Sequence, residues 1–156
     1  MNPDWLNRML IEAELNDDTA TIVSWREFES NHTLHDSYWA GFASEIACGG
    51  EIVFCVDWDT HWQPKEIKDK FEEKRAYLFV KIPAPEKIEF SEFSRSAKSN
   101  SPIAGSVWRG GTLEIENIYG GKITMAEVDE IRLWLYDEYG EQHELKVEQV
   151  ATRQCR

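Results

Sequence analysis

The chain is poor in the residues that covalent and metal chemistry use. It has three cysteines (Cys48, Cys55 and Cys155) and four histidines in 156 residues. An odd cysteine count without a paired C-x-x-C spacing excludes a disulfide framework and a zinc-knuckle pattern. Cys48 and Cys55 lie in apolar segments, where free thiols are ordinarily buried. G-x-S-x-G, P-loop and G-x-G-x-x-G sequences are absent, so neither a nucleophile elbow nor a phosphate cradle has a local signature. The glycine pairs 49–50, 110–111 and 120–121 follow apolar alternating segments and open no helix, which makes them hairpin turns. No stretch approaches the ~18 apolar residues of a membrane span, and the first residues lack the basic and apolar regions of a signal peptide. The expectation is a cytoplasmic protein without a cofactor or bound metal.

Basic residues are also scarce, in an uneven way. Residues 1–64 hold two (Arg8 and Arg26) against twelve acidic ones, a net of −10. Residues 65–156 are nearly balanced, with 15 basic and 17 acidic, so most of the overall −12 sits in the first two-fifths of the chain. Such a field disfavours nucleic acid and anionic membranes and speeds encounter with a basic protein, although acidity also serves plain solubility.

Apolar residues make up 42% of the chain and tryptophan occurs seven times, enough for the core of a single domain over 1–156. Pro3 and Asp4 suit a helix start, and Trp5, Leu6, Met9, Leu10 and Ala13 recur at helical spacing, predicting a helix over 3–15. Ser24 and Glu27 form a capping-box pair ahead of Trp25 and Phe28, predicting a second helix over 24–31. Residues 19–23 between them are compatible with a short strand. From Ser37 the period becomes two, and the run 38–58 around Gly49-Gly50 reads as a hairpin. The charged segment 64–75 reads as an exposed connection or helical turn. Residues 76–82, 87–90, 107–108, 112–119, 122–128, 131–136 and 143–150 read as further strands, and the polar stretch 91–104 as a mobile loop. The fold class is α+β: two N-terminal helices followed by a mainly antiparallel meander, sandwich or open barrel.

The densest polar cluster is His32, His35 and Asp36, followed by Asp57, Asp59 and His61. If a strand continued through 57–61, residues 57, 59 and 61 would share one face, and pairing of the hairpin ends would bring His35 and Asp36 to them. Carboxylate–imidazole clusters bind divalent ions or do acid–base work, but no metal spacing is matched, so a structural reading outweighs a catalytic one. Trp5, Trp25 and Trp134 lie on periodic apolar faces. Trp39, Trp58, Trp62 and Trp108 are open to two readings, core or binding anchor, with core favoured because tryptophan is highly buried on average. Trp58 and Trp62 beside Asp57, Asp59 and His61, together with Asp36 and Glu51, form the candidate surface for a basic protein partner.

The run Leu34-His35-Asp36-Ser37-Tyr38-Trp39, then Val56-Asp57-Trp58-Asp59 and Trp62-Gln63-Pro64, resembles a group of small bacterial proteins, many encoded beside polymorphic or contact-dependent toxins. The segments Tyr77–Lys81 and Ile118–Ile123 fit the same order, and the resemblance extends over residues 25–135. It implies an immunity protein, without catalytic residues, that masks a cognate toxin. Such toxins are often nucleases with basic grooves, against which an acidic face substitutes for phosphate. The residues by themselves leave two other readings open: a ligand- or metal-binding β-barrel, with enzymatic activity if His35, Asp57, Asp59 and His61 surround a pocket, and an interaction module of a larger assembly.

Overall fold

A computed structural model describes residues 2–11, 15–45, 51–83, 85–91, 102–118 and 120–147. Its elements in chain order are α1 (Asp4–Ile11), β1 (Thr21–Ser24), α2 (Trp25–Asn31), β2 (Tyr38–Glu45), β3 (Glu51–Trp58), α3 (Lys65–Lys70), β4 (Ala76–Ile82), β5 (Lys87–Ser91), β6 (Ile103–Arg109), β7 (Thr112–Asn117), β8 (Lys122–Ala126), β9 (Glu130–Asp137) and β10 (Gln142–His143). One sheet runs β1-β9-β4-β3-β2, with β10 also on β9, and a second runs β5-β8-β7-β6. Every pairing among the described strands is antiparallel.

Period-two alternation explains the layering. On β3, Ile52, Phe54, Val56 and Trp58 point toward the second sheet and join Leu78, Val80, Leu133, Leu113, Ile115 and Ile123 in the main core. The opposite faces of β3, β4 and β9, through Cys55, Tyr77, Phe79, Trp134 and Tyr136, meet Leu6 and Leu10 of α1 in a smaller core. β4 is buried on both faces, which is why its sequence is a continuous apolar run. Any side chain at Gly41 would run into Leu10, so glycine permits the close approach of α1 to β2.

The hairpin 38–58 forms in the expected register, Tyr38 opposite Asp57 and Glu45 opposite Glu51, with a bulge between Trp39 and Gly41. The Ser24–Glu27 capping box forms in both directions. The element order differs from two helices followed by a meander: β1 falls between the helices, pairs with β9 more than 100 residues later, and α3 interrupts the strands. The connection 64–75 is not merely exposed, because Ile67 and Phe71 enter the main core. β6 begins at Ile103, earlier than its local pattern marks. The Gly49-Gly50 turn, Cys48, Cys155 and most of the polar stretch 91–104 lie outside the described residues. No helix among the described residues is long and apolar enough to cross a membrane.

Candidate functional site

The two ends of the β2–β3 hairpin meet the start of β6 at one corner of the molecule. Leu34 is buried, and the Ser37 N–H donates to its carbonyl (3.0 Å), closing a turn. Asp36 takes the left-handed region (φ 66°), which aspartate tolerates better than most residues. The chain from β6 locks this turn: Ile103 N–H donates to Ser37 O (2.7 Å) and Asp36 N–H to Ile103 O (3.0 Å). The buried Ser37 hydroxyl accepts from Asp59 N–H (2.9 Å), tying the start of β2 to the end of β3. The motif around His35-Asp36-Ser37 is thus foremost a corner-building device.

Beyond Trp58 the chain turns into a single 3-10 turn over Thr60–Trp62. Asp59 caps it by accepting from His61 N–H at 2.9 Å. Gln63, almost fully buried, anchors this turn, its Nε2 donating to both Thr33 O and Asp59 O at 2.8 Å and its Oε1 accepting from Thr33 N–H. Trp62 is therefore held outward with 49% of its surface exposed. Its Nε1 donates to Asp36 Oδ2 (3.2 Å). The imidazoles of His35 and His61 stand edge-on to it at 5.5 and 4.8 Å between ring centroids. His35 Nδ1 donates to Ala104 O (2.9 Å), leaving Nε2 3.5 Å from Asp36 Oδ2. The result is a semi-exposed indole framed by two imidazoles, with a carboxylate at its edge. Such a surface suits a cation from a partner: the indole offers a cation–π face and the carboxylate a counter-charge.

The remaining candidate residues are placed differently. β3 ends at Trp58, so residues 57, 59 and 61 do not share a strand face. Asp57 projects to the α1 side of the first sheet, in register with Tyr38 and Tyr77, 3.5 Å from the Arg75 guanidinium. Burial pushes its carboxyl above the usual range, an effect only partly offset by Arg75. Trp58 is buried, its Nε1 donating to Thr33 O (2.8 Å) and its ring stacked on His32. Glu51 stands at the other end of β3, about 23 Å along the strand from Trp58, paired with Lys81 at 3.3 Å. The pocket of His35, Asp57, Asp59 and His61 therefore does not form. The corner collects His35, Asp36, Asp59, His61 and Trp62.

Among the ambiguous tryptophans, Trp39 is in the core and donates to Asn117 Oδ1, and Trp108 is half-buried with its Nε1 on Val128 O. The turn through His35-Asp36-Ser37 into the first strand is readable locally, but the role of the Ala104 carbonyl is not, because only the fold brings β6 to the hairpin. Compared with family models, curated proteins and solved structures, the chain matches none.

Proposed function

We propose that this protein is an immunity-type inhibitor that neutralises a basic bacterial toxin, a nuclease, by seating the surface around Trp62 in the toxin's substrate groove. The observation that carries this reading is the half-exposed Trp62 indole, fixed by Asp36 and framed by His35 and His61. An arginine or lysine of the partner laid on the indole face would reach the Asp36 carboxylate. The −10 of residues 1–64 steers such an encounter. Binding alone suffices for this role, so no catalytic step is assigned, and the resemblance around Leu34–Trp39 points the same way.

The test is growth rescue in bacteria that express the toxin encoded beside this protein's gene. The native chain should restore growth, and Trp62→Ala with Asp36→Asn should abolish rescue while leaving the unfolding transition in place. Removing a central tryptophan anchor should weaken the complex about 30-fold or more. Undiminished rescue by the double variant would remove the Trp62 surface from the mechanism, and failure of the native chain to rescue would sink the immunity role.

A further inference from the structure

The row of side chains that runs through Asp57 crosses from one sheet to the other. Tyr38 is paired with Asp57 on one side and bridged to Pro102 on the other. Ile118 N–H donates to the Pro102 carbonyl (3.0 Å), continuing the Ile103–Asn117 register by one residue. Ile118, Pro102, Tyr38 and Asp57 therefore stand side by side on four adjacent segments, about 14 Å from end to end. Alternation fixes the side they face. Their chain neighbours Ile103, Asn117, Ser37, Trp39, Val56 and Trp58 are all buried, so the row itself points outward.

The row continues inward through Tyr77, which pairs with Asp57 and is covered edge-on by Trp5 of α1. Tyr77 is 1% exposed, whereas Tyr38 is 48% and Ile118 54% exposed. The helix thus covers one end of the row and leaves the other bare. Tyr38 follows Asp36, the partner of Trp62 Nε1, by two residues, so the bare end adjoins the Trp62 corner.

A stable, specific interface takes about 800 Å² from each partner. A half-exposed indole offers only about 120 Å² of that, so a partner held at Trp62 must also cover neighbouring surface. Tyr38, Pro102 and Ile118 supply apolar area in direct continuity, and tyrosine gives large contact area at a small entropy cost. The charge suits the same occupant. Asp36, Asp57 and Asp59 border the patch, and of these only Asp57 has an arginine or lysine within 4.0 Å among the described residues, Arg75 at 3.5 Å. Three carboxylates against one guanidinium leave a local excess of negative charge for a basic partner.

We infer that the row Ile118–Pro102–Tyr38 is the second half of the interface for the basic toxin. The toxin lays a cationic side chain on Trp62 and Asp36, and seats an apolar side chain between Tyr38 and Ile118, over Pro102. This rests on the inhibitor role proposed above and adds the direction in which the partner extends, across the junction of the two sheets.

The test is a calorimetric titration of the full chain with the toxin encoded beside its gene. Tyr38→Ala/Ile118→Ala should weaken binding about tenfold or more at an unchanged urea midpoint. Ile22→Ala, at a residue of similar exposure (47%) on the far edge strand β1, should leave Kd within about twofold. Ile118→Lys keeps Tyr38 and sets a like charge against a basic partner, so it should also weaken binding, and it decides the matter if the double variant is unstable. Full affinity in Ile118→Lys or in the folded double variant, while Trp62→Ala weakens the complex, would overturn the row and keep the Trp62 corner. An equal loss in Ile22→Ala would show an effect not confined to the row and likewise overturn it. Absence of binding by the native chain would overturn the inhibitor role and the row together.

Discussion

Replacing Asp137 by alanine should unfold this protein more readily than any change at the surface. Asp137 ends β9, and its side chain is fully buried. One carboxylate oxygen accepts from Tyr139 N–H (2.8 Å) and Glu141 N–H (3.1 Å), which holds the turn toward β10. The other accepts from His143 Nε2 (2.8 Å) and lies 3.6 Å from Lys74 Nζ. Three N–H groups donate to the carboxylate and the Lys74 ammonium stands beside it, so Asp137 acts as a latch between the end of β9, the turn and β10. His143 in turn packs edge-on against Phe71 of the main core. A hydrogen bond to a charged group contributes about 1.5–3 kcal/mol, and removing one side of a buried charged network costs about 3–5 kcal/mol. Alanine should therefore cost about 4 kcal/mol, and Asp137→Asn, which keeps one acceptor but loses the charge, about 2 kcal/mol. Lys74→Ala should cost under about 1 kcal/mol, because the ammonium is one-third exposed and rehydrates. The assay is urea denaturation followed by tryptophan fluorescence, read at constant slope. A loss below about 1 kcal/mol for Asp137→Ala would refute the latch.

The same carboxylate makes a pH prediction. Burial pushes its pKa up and is the largest single influence, yet the hydrogen bonds from His143, Glu141 and Tyr139 together hold it below the usual range. Its contribution is present above the ordinary carboxylate pKa and disappears as pH falls toward the depressed folded value, so the native chain should lose its advantage over Asp137→Asn on acidification. His32 acts at higher pH. Its folded pKa is depressed by burial below the ordinary value of 6.5, so stability is complete above that value and declines as pH falls through it, when the unfolded chain takes up the proton first. Urea midpoints of the native chain and His32→Phe should diverge between pH 7 and about 5, and parallel curves would count against a neutral buried imidazole. At the start of α2, Ser24→Ala removes the acceptor for Glu27 N–H (3.1 Å) and should cost about 1 kcal/mol in the same assay. No measurable loss would mean that β1 and Trp25 hold that helix start without the cap.

The elements that local chemistry specifies were legible in the residues. The hairpin 38–58 is written as two alternating runs around a glycine pair, and its register follows from which face must be buried. The strand Ala76–Ile82 is an apolar run with β propensity, and the capping box marks α2 within one residue. The acidity of the first 64 residues and the lack of nucleophile motifs are likewise facts of the sequence alone. Tertiary structure decided the rest, because periodicity says that a face is buried but not what covers it. β1 joins β9 across the length of the chain, and Ile103 locks the Asp36–Ser37 turn from a strand that begins 65 residues beyond Tyr38. Asp57 and Trp58 face opposite sides of the sheet by strand alternation, whereas Asp59 leaves that pattern and caps the 3-10 turn because the strand stops at Trp58. Local sequence marked Trp58 and Trp62 alike as surface candidates, and only packing among separate segments buries the first, exposes the second and leaves the His32 imidazole unpartnered.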